Sequence, residues 1–198
     1  MNFYPERISE LFHAPRNVGK LNDANAVGMG ATFVCGVFLR FYLRIDNQSK
    51  EITKAKFQTN GCGYLIASAD VLAGNITGKK LNKVHELDRQ VLQTEIENAL
   101  GVFSEHRKHC LETTLNALQS AFADFRIRQV EEYAGEKALI CTCFGVSEET
   151  IERVIAENRA ETVEQVGEIC NAGTGCGSCQ FLIGELIDVG KSDEFNRR

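Results

Sequence analysis

No apolar run in this chain approaches the roughly 18 residues that a membrane-crossing helix needs. The longest stretch of interest, Ala31 to Ile45, is interrupted by Arg40 and Arg44. The opening residues, MNFYPERISELF, lack the basic-then-apolar order of a secretory signal, so a cytoplasmic protein is expected. Internal repeats and low-complexity segments are missing as well. No Ser–His–Asp order, phosphate loop or aromatic-plus-basic stripe stands out, which leaves hydrolase, nucleotide-binding and RNA-binding readings without support. There is no excess of basic charge either. A formal net charge of −5 argues against nucleic acid or an anionic membrane as the main partner. The remaining composition is ordinary: 198 residues, 43% hydrophobic and 25% charged, enough to bury a core in one domain or two small ones.

What the chain does have is cysteine, eight in all. An even count permits disulfides in a secreted protein. In a reducing cytosol it points to metal or redox chemistry, and position decides between them.

Phe3, Ile8, Leu11 and Phe12 recur at helical spacing, which predicts a short amphipathic helix over Asn2–Ala14. Pro15-Arg16-Asn17-Val18-Gly19 is a break and a turn. From Ala31 to Asp46 the period falls to two, and Phe33, Cys35, Val37, Leu39, Phe41, Leu43 and Ile45 share one face of a long predicted strand. Its hairpin partner is Glu51–Thr59. Asn60-Gly61-Cys62-Gly63 then opens a helix to about Ala73, and further helices are predicted over Leu81–Leu100 and Ser104–Arg126. The charged stretch Gln129–Lys137 reads as a linker. Beyond it, Ser147 is placed to cap a helix over Glu148–Asn158. Thr162-Val163-Glu164-Gln165 fits a capping box for a helix to about Cys170, and a last helix runs from Cys179 to about Val189.

Cys141-Thr142-Cys143, then 32 residues, then Cys176-Gly177-Ser178-Cys179 is the strongest pattern present. Four thiolates converging from two loops suit a two-iron cluster. Gly145, Gly173, Gly175 and Gly177 around them let backbone N–H groups approach inorganic sulfide. The same residues admit a structural zinc site or two disulfides, although zinc knuckles favour paired Cys-x-x-Cys with a shorter spacer and disulfides conflict with the compartment. Cys170 falls on the face of Val163 and Val166 and reads as a packed thiol. As a ligand it would be a fifth at a four-ligand site.

The segment carrying CTCFGVSEETI and NAGTGCGSCQ, about Leu139 to Gly190, resembles the bacterioferritin-associated-ferredoxin-like [2Fe–2S] domain found in the middle of NifU. The resemblance implies a small all-α domain whose permanent cluster lies between the two loops, on Cys141, Cys143, Cys176 and Cys179. Upstream, Cys35 precedes Gly36, Cys62 lies between Gly61 and Gly63, and Cys110 follows His109 at the start of a helix. A helix N-terminus favours thiolate, although three core cysteines would need no function at all. With PRNVG at Pro15–Gly19, Val27-Gly28, Cys35-Gly36, NGCGYLIASADVLAGNITGK at Asn60–Lys79 and His109-Cys110, the region Tyr4 to about Phe125 resembles the IscU/NifU cluster scaffold.

Together the two resemblances imply an α+β N-terminal domain, with a small antiparallel sheet packed by helices, over 1–128. A linker at 129–138 and the ferredoxin-like domain at 139–198 follow, without the third module of long NifU proteins. The implied function is a scaffold rather than a turnover enzyme. It takes sulfur from a cysteine desulfurase, takes iron, builds a transient cluster on Cys35, Cys62 and Cys110, and passes it to apo iron–sulfur proteins. His109 is the implied fourth ligand, and iron or zinc alone is a further implied occupant. An electron donor and a homodimer are compatible with this. The alternatives are an electron-transfer protein whose first domain is only a docking platform, and a zinc-holding structural module.

Two departures from the family pattern stand out. The family's Asp, two residues after the first cysteine and associated there with iron handling and cluster lability, is Val37 here. The Leu-Pro-Pro-Val-Lys stretch of chaperone-served scaffolds is replaced by Val102–Lys108, without proline. His106 precedes Cys110 by four residues and is expected either near the site or solvated among charged neighbours. His13 and His85 are expected at the surface or in local hydrogen bonds.

Overall fold

The computed structural model describes residues 3–85 and 88–196, the side chains of His85 and of 192–196 excepted. The expectation for the His85 side chain therefore lies outside the described residues. The chain divides into two compact units, 1–125 and 126–198.

The first unit is built on a three-stranded antiparallel meander, β1 (Ala26–Thr32), β2 (Val37–Ile45) and β3 (Ile52–Thr59), in the order β1-β2-β3. The alternation expected for Leu39, Phe41, Leu43 and Ile45 is present, and all four are buried. Gly28, Phe41 and Phe57 share one cross-strand row, with the two phenyl rings edge-on at 6.3 Å. Truncating either fully buried ring would cost about 3–5 kcal/mol. A register shift at Arg44/Ile45 lets β3 bury Ile52 and Ala55 on the same side.

The long strand expected from Ala31 is instead two strands. Residues 33–36 form a turn, closed by the Gly36 N–H to the Thr32 carbonyl at 3.1 Å, with Gly36 at φ +66°. The apolar residues Phe33, Val34 and Cys35 carry the alternation across this turn, yet Phe33 and Val34 project into solvent. β1 itself carries no alternating apolar signal, because its inward positions are Ala26, Gly28 and Gly30.

Those glycines have a tertiary purpose. A Cβ on Gly28 would lie 2.0 Å from the Ala121 nitrogen and one on Gly30 2.3 Å from the Thr113 carbonyl. The backbone of the long helix α5 (Lys108–Glu131) thus rests directly on β1. Before it come α1 (Glu6–His13), the central α2 (Gly63–Ile76), α3 (Leu81–His85) and α4 (Arg89–Leu100). α2 is apolar nearly all round and packs against β3, α1 and α4. Its buried Asp70 accepts the Arg16 and Asn17 N–H groups at 2.8 and 2.7 Å, which anchors the Pro15–Gly19 turn.

α5 continues three residues into the expected linker. In the second unit a short ribbon, β4 (Leu139–Cys141) with β5 (Val146–Ser147), precedes α6 (Glu148–Asn158), α7 (Val163–Cys170) and α8 (Gln180–Asn196). Ser147 and Thr162 cap α6 and α7 by accepting the Thr150 and Gln165 N–H groups at 3.3 Å each. The Gln165 side chain reaches back to the Glu161 N–H at 2.7 Å, one residue earlier than a standard capping box. The unit is helical apart from the ribbon.

Candidate metal centres

In the first unit three element ends meet. Cys35 sits in the β1–β2 turn, exposed, rather than inside a strand. Cys62 is the N-cap of α2 and half-buried, and Cys110 lies in the first turn of α5, 1% exposed. Cys62 Sγ is 3.9 Å from Cys110 Sγ, and Cys35 Sγ is 3.5 Å from His109 Nε2. The hairpin end is tied to the loop before Cys62 by Asn60, whose Oδ1 accepts the Phe38 N–H at 2.9 Å.

The Cys62 thiol is drawn down to about 5. The Cys110 thiol beside it donates into the sulfur, and the Leu65 and Tyr64 N–H groups at the α2 terminus add to this against the effect of burial. Cys110 is pushed up by the same contact and by its own burial. One proton thus serves two sulfurs, and the accessible one carries the charge.

Aromatic side chains that no sequence motif marks pack beside this centre. The Tyr4 hydroxyl accepts the Gly63 N–H at 3.2 Å. The Tyr4 and Phe103 rings pack on Tyr64 at 5.6 and 5.2 Å, and the Arg107 guanidinium lies over Tyr64 at 5.2 Å. Tyr64 stands two residues after Cys62 and Arg107 three before Cys110, the only local signal available. His106 is exposed in a single 3₁₀ turn, Glu105–Arg107, ahead of α5, so it is not one α-helical turn from Cys110. His13 is exposed and packs edge-on against Phe12. Val37, half-buried, opens β2 opposite Thr32, and the turn between it and Cys35 removes the pleat spacing expected for the pair.

In the second unit Cys141 ends β4, Cys143 lies in the β4–β5 turn, and Cys176 and Cys179 lie in the loop entering α8. The four line one cleft of about 190 Å³, flanked by Ile140 and Leu182. Cys143 Sγ is 3.5 Å from Cys176 Sγ, and the Cys141 thiol pairs with Cys179. Gly145, Gly173 and Gly177 have positive φ, and a Cβ on Gly175 would press on Cys143 at 2.9 Å. The Gly173 N–H is directed at the sulfurs of both Cys141 and Cys179.

The thiol contact from Cys141 holds Cys179 down at about 7 and raises Cys141, while burial raises Cys143 to about 11. For Cys176 partial burial acts upward but is outweighed by the Ser178 hydroxyl and N–H and by Cys143, so it falls below the usual range. Cys170 is half-buried and donates to the Val166 carbonyl at 3.2 Å, a helix-internal bond. Among the described residues the thiols meet in pairs, and no three metal-binding side chains close into a shell. Four thiols lining one cleft, with N–H groups turned toward them, form a donor set that fits a two-iron cluster.

Residues 3–132 match the family described as "NifU-like N terminal domain", and residues 139–188 match "BFD-like [2Fe-2S] binding domain". The nitrogen fixation protein NifU of Trichormus azollae is 33% identical over 192 residues, 93% of this chain and 63% of its own. The iron–sulfur cluster assembly scaffold protein IscU of Aquifex aeolicus is 32% identical over 131 residues, 65% of this chain and 81% of its own. A crystal structure of an N-terminal nitrogen-fixing NifU-like protein from Brucella abortus aligns with TM-score 0.45 at 20% identity, covering 66% of this chain and 95% of that one. The chain spans about 60% of the length of the NifU proteins it matches. By the family match over residues 3–132, the chain belongs to the NifU-like family.

Proposed function

We propose that the chain is an iron–sulfur cluster assembly scaffold that also carries a permanent [2Fe–2S] cluster. The observation that carries this is the contrast between two thiol centres in one chain. Cys35, Cys62 and Cys110, with His109, form an open centre whose first cysteine stands in solvent. Cys141, Cys143, Cys176 and Cys179 form a closed one, with three thiols at 7% exposure or less. Open thiols suit a cargo that must leave, and buried thiols suit a resident group.

In the open centre, a thiolate attacks the outer sulfur of a desulfurase persulfide. A new S–S bond forms on the scaffold, the donor S–S bond breaks, and the desulfurase thiolate leaves, so this step has no net redox change. Turning each transferred sulfur into sulfide takes two electrons from an external reductant. Cys62, whose pKa is drawn down by the neighbouring Cys110 thiol, is the candidate nucleophile for this step. The completed cluster is the cargo, released to apo iron–sulfur proteins. In the closed centre, the four C-terminal cysteines would hold the resident cluster, which supplies one-electron chemistry. The burial of Cys141, Cys143 and Cys179 limits water access on that side, and the Gly173 N–H steadies the charge on Cys141 and Cys179. The scaffold role is stoichiometric, so the protein is not a turnover enzyme, and its place is the cytoplasm.

The test is desulfurase-driven reconstitution with ferrous iron, followed by transfer to an apo-ferredoxin. Iron and sulfide beyond the resident cluster, transferable to the acceptor, are expected. Iron uptake equal to that of a Cys35/Cys62/Cys110 triple Ser variant would favour an electron carrier instead.

A further inference from the structure

The four C-terminal thiols are not equivalent. Cys141 and Cys143 are each 2% exposed and Cys179 7%, whereas Cys176 is exposed. Among the described residues, Cys176 is also the one of the four with a hydroxyl at its sulfur, Ser178 Oγ at 3.2 Å. The positive φ of Gly177, +75°, bends the Cys176–Cys179 turn so that residue 178 folds back onto residue 176. Between a thiol and a hydroxyl either atom can donate. A sulfur that holds iron has no proton, so there the Ser178 hydroxyl must be the donor.

We propose that Ser178 is a positioning residue that raises the reduction potential of the C-terminal [2Fe–2S] centre by donating a hydrogen bond to the Cys176 sulfur. This rests on the reading of the four thiols as a [2Fe–2S] site. Reduction takes one electron from an external one-electron donor and turns one ferric ion ferrous. No covalent bond forms or breaks, and the hydroxyl proton stays on its oxygen. The added charge spreads onto the ligating sulfurs, so a hydrogen bond to one of them strengthens on reduction and favours the reduced form. The three buried thiols each take a backbone N–H, which side-chain replacement cannot remove. Ser178 is the adjustable contact.

The experiment is a dithionite redox titration of the full chain after an EDTA wash, followed by visible absorption and electron paramagnetic resonance. Ser178→Ala is expected to lower the one-electron reduction constant about tenfold, a shift of ~59 mV to more negative potential. Ser178→Thr, which keeps the hydroxyl, is expected to stay near the parent. An unchanged potential in Ser178→Ala would overturn the proposal. So would loss of the cluster in that variant, which would assign the hydroxyl to holding the loop. A parent protein with no two-iron spectrum would instead overturn the [2Fe–2S] reading itself, and this proposal with it.

Discussion

The contact between Cys62 and Cys110 sets how reactive Cys62 is. Cys62 is drawn from the ordinary thiol value of 9.0 to about 5. At pH 7 that makes it ~99% thiolate, against ~1% for an ordinary thiol, a gain of about 100-fold in the reactive form. Nucleophilicity falls with basicity at a Brønsted slope of about 0.4–0.5, so four pKa units cost about 40–100-fold. The two effects nearly cancel. Cys62 should therefore react at pH 7 about as fast as an ordinary thiol, and rate alone is uninformative.

The pH profile is the discriminating signal. The thiolate is present above pH about 5 and lost as pH falls through that value. Alkylation of Cys62 by iodoacetamide, read by peptide mass spectrometry on chelator-treated protein, should be flat from pH 6.5 to 9. An ordinary thiol would rise about tenfold per unit up to pH ~8. Cys110, 1% exposed, should stay unmodified while the protein is folded. Cys110→Ala removes the principal cause of the shift, the donated thiol hydrogen bond, and should restore a rising profile at Cys62. A tenfold rise per pH unit at Cys62 in the parent protein would refute the shared-proton argument.

Gly28→Ala puts a Cβ against backbone at 2.0 Å, where no side-chain rotation helps, so a loss of about 3 kcal/mol, the upper end of ordinary overpacking, and a clear fall in Tm are expected. Serine at Cys141, Cys143, Cys176 or Cys179 should bleach the resident cluster's visible spectrum, whereas Cys170→Ala should leave it unchanged, since its thiol is already engaged with the Val166 carbonyl. Val37→Asp places a carboxylate two residues from Cys35, at the start of β2, and should speed transfer of the transient cluster to an apo-acceptor. Matched time courses with identical rates would show that Val37 does not gate release.

What could be read from the sequence was whatever is decided locally. The caps Ser147 and Thr162 act within three residues, and both α6 and α7 begin where they indicate. The Cys-x-Cys and Cys-x-x-Cys pairs likewise show their grouping in a few residues. The hairpin turn that holds Cys35 could not be read this way. Phe33, Val34 and Cys35 are apolar residues in a turn, without the Asn-Gly or Asp-Gly that marks most short hairpins, so the period of two runs on through it. β1 is poor in β-branched and aromatic residues because its inner face must admit the α5 backbone, a demand set about 90 residues away in the chain.

The same division separates the two thiol centres. The C-terminal cysteines are brought together by two tight loops, so local spacing is nearly sufficient to pair them. The N-terminal cysteines come from a turn, the N-cap of α2 and the first turn of α5, and only the meander, α2 and α5 packed together bring them within reach. Strain or local opening in that packing would separate Cys62 from Cys110 and return the proton balance to that of ordinary thiols. The closed centre, held by local turns, would not feel it. A centre assembled from distant elements is therefore the one whose ligand geometry can change with the state of the fold. That property suits a site that must take up its cargo and then let it go.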